Sequence, residues 1–355
     1  MRSIEHRYDD PLDLIWLACA RELAIEVVRS SEVYASFDGE RVLTLSSREH
    51  FDADDSLAQL IFHELCHALV AGERGQRSVD WGMENIDARD LELEHACHRV
   101  QAALADRHGL RAFFAVTTEH RTYWDALPVD PLGPGDDEAI PRAREAFERA
   151  HSGRWAGPLE RALARTAQLA ETMRALTLPP GSLWRRTRPL HASGFPLGDD
   201  AAKTCGGCAW AHGNDANLRC RQQVSLQNDA RRGRARGKLT TSLPGCVRFE
   251  PKLVAASCAR CGACCREGFD RVELTRREHT ARASAARLRL VVVDGFGPHL
   301  PRPGGLCVGL DGTAAGSSEP SYVCSIYPER PRACADFAIA GDACLTARRR
   351  VGLSV

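Results

Sequence analysis

The 355-residue sequence has no net charge and no apolar run of the length that a membrane helix needs. A membrane-spanning helix takes about 20 mostly apolar residues, so we predict no membrane partner. The 47 basic residues are balanced by 47 acidic ones, which leaves no overall field to attract nucleic acid. The one basic stretch, residues 230–238, is spaced by glycines without apolar periodicity and is typical of a solvated loop. We therefore predict no nucleic-acid partner either.

The amino-terminal residues also lack the features of a secretory signal. Residues 1–24 carry acidic side chains before and within their apolar part, and they have no small-residue cleavage site. We therefore expect a cytoplasmic protein. Disulfides are rare in that compartment, so the fifteen cysteines are better explained as thiolate ligands of metal ions. Twelve of them fall between Cys205 and Cys344, which marks a compositional boundary near residue 200.

Hydrophobic periodicity predicts several helices and one hairpin in the first half of the chain. Asp38 and Gly39, between two β-rich runs, form a strong short-range hairpin signal. Asp55 or Ser56 is predicted to cap the next helix, which Gly72 ends. The predicted elements are helices over 11–29, 57–71, 87–109, 141–150 and 158–176, and a hairpin of residues 32–37 with 41–46.

The helix over 57–71 contains the sequence FHELCHALV, in which His63 and His67 are four residues apart. Positions four apart lie on one face of a helix, so both imidazoles can reach one ion. Glu64 lies about 100° round the helix, beside that ion, where a general base can take a proton from a water that zinc has acidified. We predict a Zn²⁺ ion bound by His63 and His67, with Glu64 as the catalytic base.

The order of hairpin, HExxH helix and acid-rich second helix, over residues 30–110, resembles the gluzincin type of zinc metallopeptidase. This resemblance implies a sheet edge beside the active-site helix and a third metal ligand, a glutamate, on the following helix. Glu94 matches the start of the ExxxD pattern of that family, with His98 in place of the aspartate. Glu92 and His95 remain alternatives for the third ligand.

A first group of thiols follows residue 200, in the stretch TCGGCAWAHGNDANLRC and the later LPGC. A CxxC pair forms a compact chelating turn, because glycines between the two sulfurs tolerate the bend. The spacing predicts a four-thiolate site for zinc or an iron–sulfur cluster, with His212 as a spare donor. The alternative is a set of unconnected surface thiols, since the last cysteine lies far along the chain. The ligand candidates are Cys205, Cys208, Cys220 and Cys246.

A second group begins with SCARCGACC and resembles the CxxCxxCC family of zinc- or iron-chelating domains, the YkgJ-like proteins, over residues 258–345. The family pattern continues with GxC and an apolar pair, then CxIYxxRPxxC, then a last cysteine. Tyr327, Arg330 and Pro331 match it, whereas Ala335 stands where an arginine is common in the family. The resemblance implies eight metal ligands, which are Cys258, Cys261, Cys264, Cys265, Cys307, Cys324, Cys334 and Cys344.

Eight thiols are enough for two four-coordinate sites, and the adjacent Cys264 and Cys265 are expected to face different partners. The CxxCxxC spacing is similar to that with which bacterial ferredoxins hold a cluster. Tetrahedral zinc uses the same ligands. The predicted cofactor is therefore zinc or an iron–sulfur cluster, and we place the cluster slightly ahead.

These observations predict an α+β fold. A zincin-like amino-terminal domain, with its active-site helix beside a small sheet, precedes a cysteine-rich, loop-rich domain that metal organises. The predicted divisions are an HExxH domain over 1–127, a helical segment with linkers over 128–200, a four-cysteine segment over 201–250 and the CxxCxxCC domain over 251–355.

This combination predicts a metal-dependent enzyme, namely a peptidase-like zinc hydrolase with a protein or peptide substrate, joined to a cysteine-ligated metal module. One alternative is an iron–sulfur-dependent redox or protein-modifying enzyme in which the HExxH site is structural. A second alternative is a metal-binding or delivery protein without catalysis.

Overall fold

The computed structural model describes residues 5–6, 8–83, 90–222, 238–266, 269–280, 289–311 and 321–354. These residues belong to two compact units, Met1–Asp199 and Asp200–Val355. Apart from Lys238, the basic stretch singled out in the sequence lies outside the described residues. Among the helices that the structure describes, none is both long enough and apolar enough to cross a bilayer.

The first unit combines helices with a small sheet. Its elements are α1 (Pro11–Glu22), β1 (Glu26–Ser30), β2 (Ala35–Phe37), β3 (Val42–Ser46), α2 (Leu57–Gly75), α3 (Leu91–Asp106), α4 (Arg121–Ala126), α5 (Ala139–Ala150) and α6 (Gly153–Arg174). The central strand β3 pairs in parallel with β1 and antiparallel with β2. Helix α2 packs against α1, α3 and α5, and α6 packs against α1. Helix α2 therefore lies in the middle of this unit.

The hairpin predicted across Asp38 and Gly39 is confirmed. The Asp38 amide donates to the Val42 carbonyl at 3.0 Å, and Gly39 has the left-handed φ of +82° that the turn requires. The Asp38 carboxylate also accepts the backbone N–H groups of Glu40, Arg41 and Val42 at 2.7–2.9 Å. The Asp38 side chain, at the first position of the turn, therefore stabilises the turn.

The helix predicted over 11–29 is wrong in its second half, because α1 ends at Glu22. The end is a Schellman motif: the Ile25 amide donates to Ala20 and the Ala24 amide donates to Arg21, with Ala24 at φ +62°. The residues that follow are β-branched and form β1, paired with β3. Pairing with a neighbouring strand thus overrides the helical periodicity of this segment.

Helix α2 begins and changes direction where the sequence indicates. Of the two predicted caps, Ser56 is the one used: its hydroxyl accepts the Gln59 amide at 3.2 Å and donates to the Gln59 side chain at 2.7 Å. Helical geometry breaks at Gly72, which has φ +68°, and one more turn runs to Gly75. Helix α3 begins at Leu91, and residues 84–89 before it lie outside the described residues.

An aromatic cluster forms the core behind α2. The rings of Trp16, Phe62 and Phe114 lie 4.8–5.4 Å apart by centroid, and the Trp16 indole donates to Thr166 Oγ1 at 3.1 Å. Burial of each such side chain contributes roughly 1.5–3 kcal/mol. This packing gives α2 a rigid support close to the HExxH histidines.

The second unit is built from short pieces. Its elements are β4 (Ala211–His212), β5 (Arg219–Cys220), α7 (Ala255–Cys261), β6 (Val272–Glu273), α8 (Arg276–Thr280), β7 (Val292–Asp294), β8 (Gly297–Leu300), β9 (Leu310–Asp311), β10 (Val323–Cys324), α9 (Arg332–Ala335) and α10 (Asp342–Arg350). Its buried apolar residues form two small clusters, and cysteines are part of each. A unit with so little apolar core needs another source of stability.

Candidate metal centres

Two adjacent helices bring the predicted ligands of the HExxH motif together. His63 Nε2 and His67 Nε2, both on α2, lie 2.9 Å apart. On α3, Glu94 Oε1 lies 3.3 Å from His63 Nε2, and Glu94 Oε2 lies 3.4 Å from His67 Nε2. Glu94, which is 31 and 27 residues after His63 and His67, therefore converges with them on one point.

The structure separates Glu94 from the two alternatives for the third ligand. The carboxylate of Glu92 is exposed and lies 3.5 Å from Arg142. The ring of His95 stacks on that of Tyr123, with the centroids 3.6 Å apart. Neither side chain is among the donors that gather around His63. Glu94 is therefore the acid that the fold delivers to the histidines.

His98 joins this group, although the sequence patterns did not place it among the ligands. It lies one helical turn after Glu94, and its Nε2 is 3.2 Å from Glu94 Oε1. His63, Glu94 and His98 each place one donor atom within 4.8 Å of the other two. The signal for it was present in the sequence, since residues four apart share a helix face on α3 as they do on α2.

A hydrogen-bond chain fixes the ring of His63. The Gln101 side-chain nitrogen donates to the Phe114 carbonyl at 2.8 Å, so the amide oxygen of Gln101 faces His63 Nδ1, 2.9 Å away. An oxygen there can only accept a proton, which places the proton of the neutral ring on Nδ1. The lone pair is then on Nε2, the atom that faces the other donors.

Sulfur atoms surround the other nitrogen of His67. Its Nδ1 lies 3.2 Å from Cys97 Sγ and 3.0 Å from Met83 Sδ. Both sulfurs are weak acceptors for an N–H group. Burial, followed by the charge of Glu94, raises the pKa of the Cys97 thiol well above its ordinary value, so this residue remains a neutral thiol beside the site.

The charge distribution of the group favours a cation. Burial disfavours the charged form of His63, but its hydrogen bond to Glu94 and the Glu94 charge outweigh burial and raise its pKa to about 9. Burial alone would raise the pKa of Glu94, yet the charges of His67 and His63 hold it well below its ordinary value. At neutral pH a carboxylate and an imidazolium therefore form an ion pair at the point where a metal ion fits.

We expect the metal-free first unit to lose stability as the pH rises from 6.5 to 9. The raised pKa of His63 favours the folded state fully below pH 6.5, and this contribution disappears as the pH passes through about 9. Since a tenfold change in proton affinity corresponds to about 1.36 kcal/mol, the loss is at most about 3 kcal/mol. Urea unfolding at several pH values, followed by tryptophan fluorescence, measures it, because five of the six tryptophans lie before residue 200.

A matched variant separates this contribution from other titrations. His63→Phe keeps an aromatic ring but cannot titrate, so its stability should fall less over the same pH range. Equal pH dependence in the two proteins would show that His63 is not protonated in the metal-free state.

Glu64 lies beside the donor group and is held by a tryptophan. The Trp81 indole N–H donates to Glu64 Oε2 at 3.0 Å. Trp81 and Asp80 both have left-handed backbone conformations, with φ of +59° and +48°, which are unfavourable for such residues. The Trp81 ring stacks on Phe37 with a 3.7 Å centroid distance, and Asp80 Oδ1 accepts the Phe37 amide at 2.8 Å. The edge strand β2 thus supports the turn that orients Glu64.

Backbone pairing gathers the first group of thiols in the second unit. The Cys205 amide donates to the Leu243 carbonyl at 2.9 Å, which lays the chain just before Cys246 against the CxxC turn. Across the β4–β5 pair, Cys220 lies opposite Ala211. Hydrogen bonds therefore connect the CxxC turn to the segment before Cys246. The strand β4, which starts shortly after Cys208, pairs with the strand that carries Cys220.

The thiols of this group act on one another electrostatically. Burial, and then the neighbouring Cys246 and Cys208, raises the pKa of the Cys205 thiol to about 11. Repulsion between thiolates at this position indicates that a bound cation would stabilise their charged forms. The spare donor His212 is exposed on β4.

By their electrostatic neighbours, the eight later cysteines form two sets that share Cys264. In the first set, burial and then Cys264, Cys344 and Cys261 raise the pKa of Cys258. Arg348, on the same helix as Cys344, donates to Cys261 Sγ at 3.3 Å. A donor to a thiolate sulfur of this kind is a common outer contact of metal sites.

In the second set, burial and then Cys307, Cys264 and Cys324 raise the pKa of Cys334 to about 11. Cys265 belongs with them, because the Cys307 amide donates to its carbonyl at 2.8 Å. The Sγ atoms of Cys264 and Cys265 are 3.9 Å apart, where the two sets meet. Among the described residues, no three thiols lie within 4.8 Å of one another.

A glycine permits the turn between the two CxxC cysteines and the pair that follows. Helix α7 ends at Gly262, which has φ +59°. A Cβ atom at this position would overlap the ring of Tyr322. The Tyr322 amide donates to the Ala259 carbonyl at 2.7 Å, so the strand that carries Cys324 is fastened to the helix that carries Cys258.

Residues 257–349 match the CxxCxxCC family model, which is described as "Putative zinc- or iron-chelating domain". This part is similar to the members of that family. The resemblance predicted for residues 258–345 is thereby confirmed, and metal binding by this part of the chain is supported. Comparison with curated proteins and with solved structures yields no match, and the gluzincin resemblance of residues 30–110 remains a prediction.

The IYxxRP element, residues 326–331, has a structural explanation. The Arg330 guanidinium lies over the Tyr327 ring, 4.1 Å from its centroid, and donates to the Tyr327 carbonyl at 2.9 Å. Pro331 then begins the short helix α9, which presents Cys334. The cation–π contact therefore sets the path of the chain between two of the cysteines.

Proposed function

We propose that the first unit is a zinc-dependent hydrolase that acts on peptide-like substrates. His63, His67 and Glu94 would hold the ion, and Glu64 would act as the general base. The observation that carries the proposal is the convergence of these two histidines with a buried glutamate from the next helix, at 2.9–3.4 Å. Donors bound to one zinc at about 2.0–2.1 Å, with angles of about 90–110°, lie roughly 2.9–3.4 Å apart.

The residues around the donor group suit a hydrolytic reaction. Bound zinc would supply a Lewis acid that acidifies water and polarises a carbonyl group. Glu64 would accept the proton at its carboxylate and later pass it to the leaving amine. The Trp81 N–H would keep that carboxylate in place during both transfers, since the indole can only donate.

Solvent can reach the donor group from one side. The side chain of His63 is 25% exposed, whereas those of His67 and Glu94 are 5% and 10% exposed. Glu64 is half-buried next to His63. A substrate would therefore approach over His63 and Glu64, which is the side on which a general base is needed.

We further propose that the CxxCxxCC domain binds its metal ions as a docking or redox-sensing module. A second candidate function for the whole chain is an iron–sulfur-dependent redox or protein-modifying enzyme. The spacing of Cys258, Cys261 and Cys264 favours it, since ferredoxin-type clusters use this spacing. In that case the donor group of the first unit would have a structural role.

Anaerobic purification followed by metal analysis, an absorption spectrum and a peptide-hydrolysis assay tests these proposals. We expect hydrolysis of a mixed peptide library by the zinc-loaded protein, loss of activity with 1,10-phenanthroline and recovery on addition of zinc. A brown protein with iron and labile sulfide, inactive on every peptide, would favour the second candidate and contradict the first.

A further inference from the structure

His98 is buried and lacks the partners that a buried imidazole needs. Its side chain is 1% exposed, and neither of its ring nitrogens has a hydrogen-bond partner. An unsatisfied buried polar group costs about 1–3 kcal/mol. A histidine that served only to fill the core would be expected to make at least one hydrogen bond, but the Nε2 contact with Glu94 lacks hydrogen-bond geometry.

His98 shares a group of close donor atoms with His63 and Glu94, two of the three proposed ligands. Its Nε2 lies 3.2 Å from Glu94 Oε1, which is within the separation of roughly 2.9–3.4 Å expected between donors on one zinc. The rings of His98 and His63 are nearly parallel, 24° apart, with centroids separated by 5.4 Å. Oε1 of Glu94 thus faces both His98 and His63, whereas Oε2 faces His67.

We infer that His98 is a fourth protein ligand of the ion held by His63, His67 and Glu94. This inference rests on the proposed metal site of the first unit. A bond from His98 to the ion removes the energetic cost of leaving the His98 ring without hydrogen bonds. It also explains why the two oxygens of Glu94 lie close to three imidazoles.

A fourth protein ligand changes the coordination that the site requires. Catalytic zinc sites usually hold three protein ligands and one water. With three imidazoles and one carboxylate already bound, a reacting water occupies a fifth position. An ion at this site would therefore be at least five-coordinate when water is bound. Metals that prefer higher coordination numbers than zinc would also suit such a site.

Nuclear magnetic resonance of the full-length chain, labelled with ¹⁵N-histidine and loaded with ¹¹³Cd²⁺, tests the inference directly. Scalar coupling splits the nitrogen signal only of a histidine that is bonded to cadmium, so the thiolate sites contribute a split signal only where His212 binds there, and that signal couples to a different cadmium ion. Of the 13 histidines, we expect three to be coupled to one cadmium ion, and the signal lost in His98→Phe should be one of them.

Two coupled histidines, with His98 uncoupled, would overturn the inference but leave the proposed site intact. No coupled histidine at all would overturn both. The count in the unsubstituted protein stands even if a variant fails to fold. As a second readout, His98→Phe should weaken cadmium binding at this site about 100-fold. The control is His95→Phe, three residues earlier on α3, where the ring stacks on Tyr123; this substitution should leave the cadmium affinity unchanged. Equal affinity in all three proteins also counts against a bond from His98.

Discussion

Substitution of Glu64→Gln is expected to lower kcat for peptide hydrolysis about 1000-fold while zinc stays bound. A positioned general base contributes roughly 10²–10⁴-fold to such reactions. Glutamine has the shape of glutamate, and its amide oxygen can still accept the Trp81 N–H that Glu64 accepts at 3.0 Å. It cannot take a proton from water, so only the chemical step should suffer. Steady-state kinetics together with the zinc content of the purified variant measure the two effects separately.

Glu73→Gln is the matched control. Glu73 lies on the same helix and is exposed, so the substitution makes the same change of charge away from the donor group. Its kcat should equal that of the unsubstituted protein. If Glu64→Gln retains activity, Glu64 is not the base; if it loses zinc as well, Glu64 belongs to the ligands, and the proposed role is wrong in a different way.

Removal of metal is expected to unfold most of the second unit while the first unit keeps its core. Structural zinc contributes about 10–16 kcal/mol of apparent binding energy in small thiolate sites, which exceeds the whole stability of most domains, about 5–15 kcal/mol. The apolar clusters of the second unit are small and include cysteines themselves. Thiols with raised pKa values, such as Cys205 and Cys334, repel one another once they ionise without a cation.

Hydrogen-exchange mass spectrometry with and without a strong chelator measures this effect segment by segment. We expect peptides from β4–β5 and α10 to lose protection by several orders of magnitude. Peptides from α1, which buries Trp16 against Phe62, serve as the internal control and should change little. A second unit that stays fully protected without metal would show that its short elements are stable by themselves.

The sequence predicts α2 well because several local signals agree there. Ser56 caps the helix, Gly72 breaks it, and the apolar residues keep a helical period between them. His63 and His67 are on one helix, so their spacing alone determines that they share a face. Local information of this kind does not depend on the rest of the fold.

Partners from other elements were harder to predict. The choice of Glu94 over Glu92 and His95 depends on how α3 rotates against α2, which no pattern within α3 determines. His98 was noted only as a departure from a family pattern, and its burial without a partner becomes visible only in the structure. The strand at Glu26 replaced a predicted helix for the same reason, because pairing with β3 decides its conformation.

The cysteines of the second unit illustrate the opposite case. Their spacing was sufficient to find the similarity to the CxxCxxCC family, yet the grouping of the thiols depends on backbone pairing between distant segments. The amide of Cys307 bonds to Cys265, which is more than 40 residues earlier. Loop-rich chains have weak local propensities, so contacts of this kind depend on long-range pairing.

The hydrogen bond from the Gln101 side chain to the Phe114 carbonyl joins the donor group around His63 to the aromatic core. Phe114 belongs to the aromatic cluster with Trp16 and Phe62, while the oxygen of the same amide faces His63. The orientation of the His63 ring thus depends, through Gln101, on the packing of the Trp16, Phe62 and Phe114 rings. A substitution that shifts these rings is therefore expected to change the orientation of His63 even where the helices stay folded.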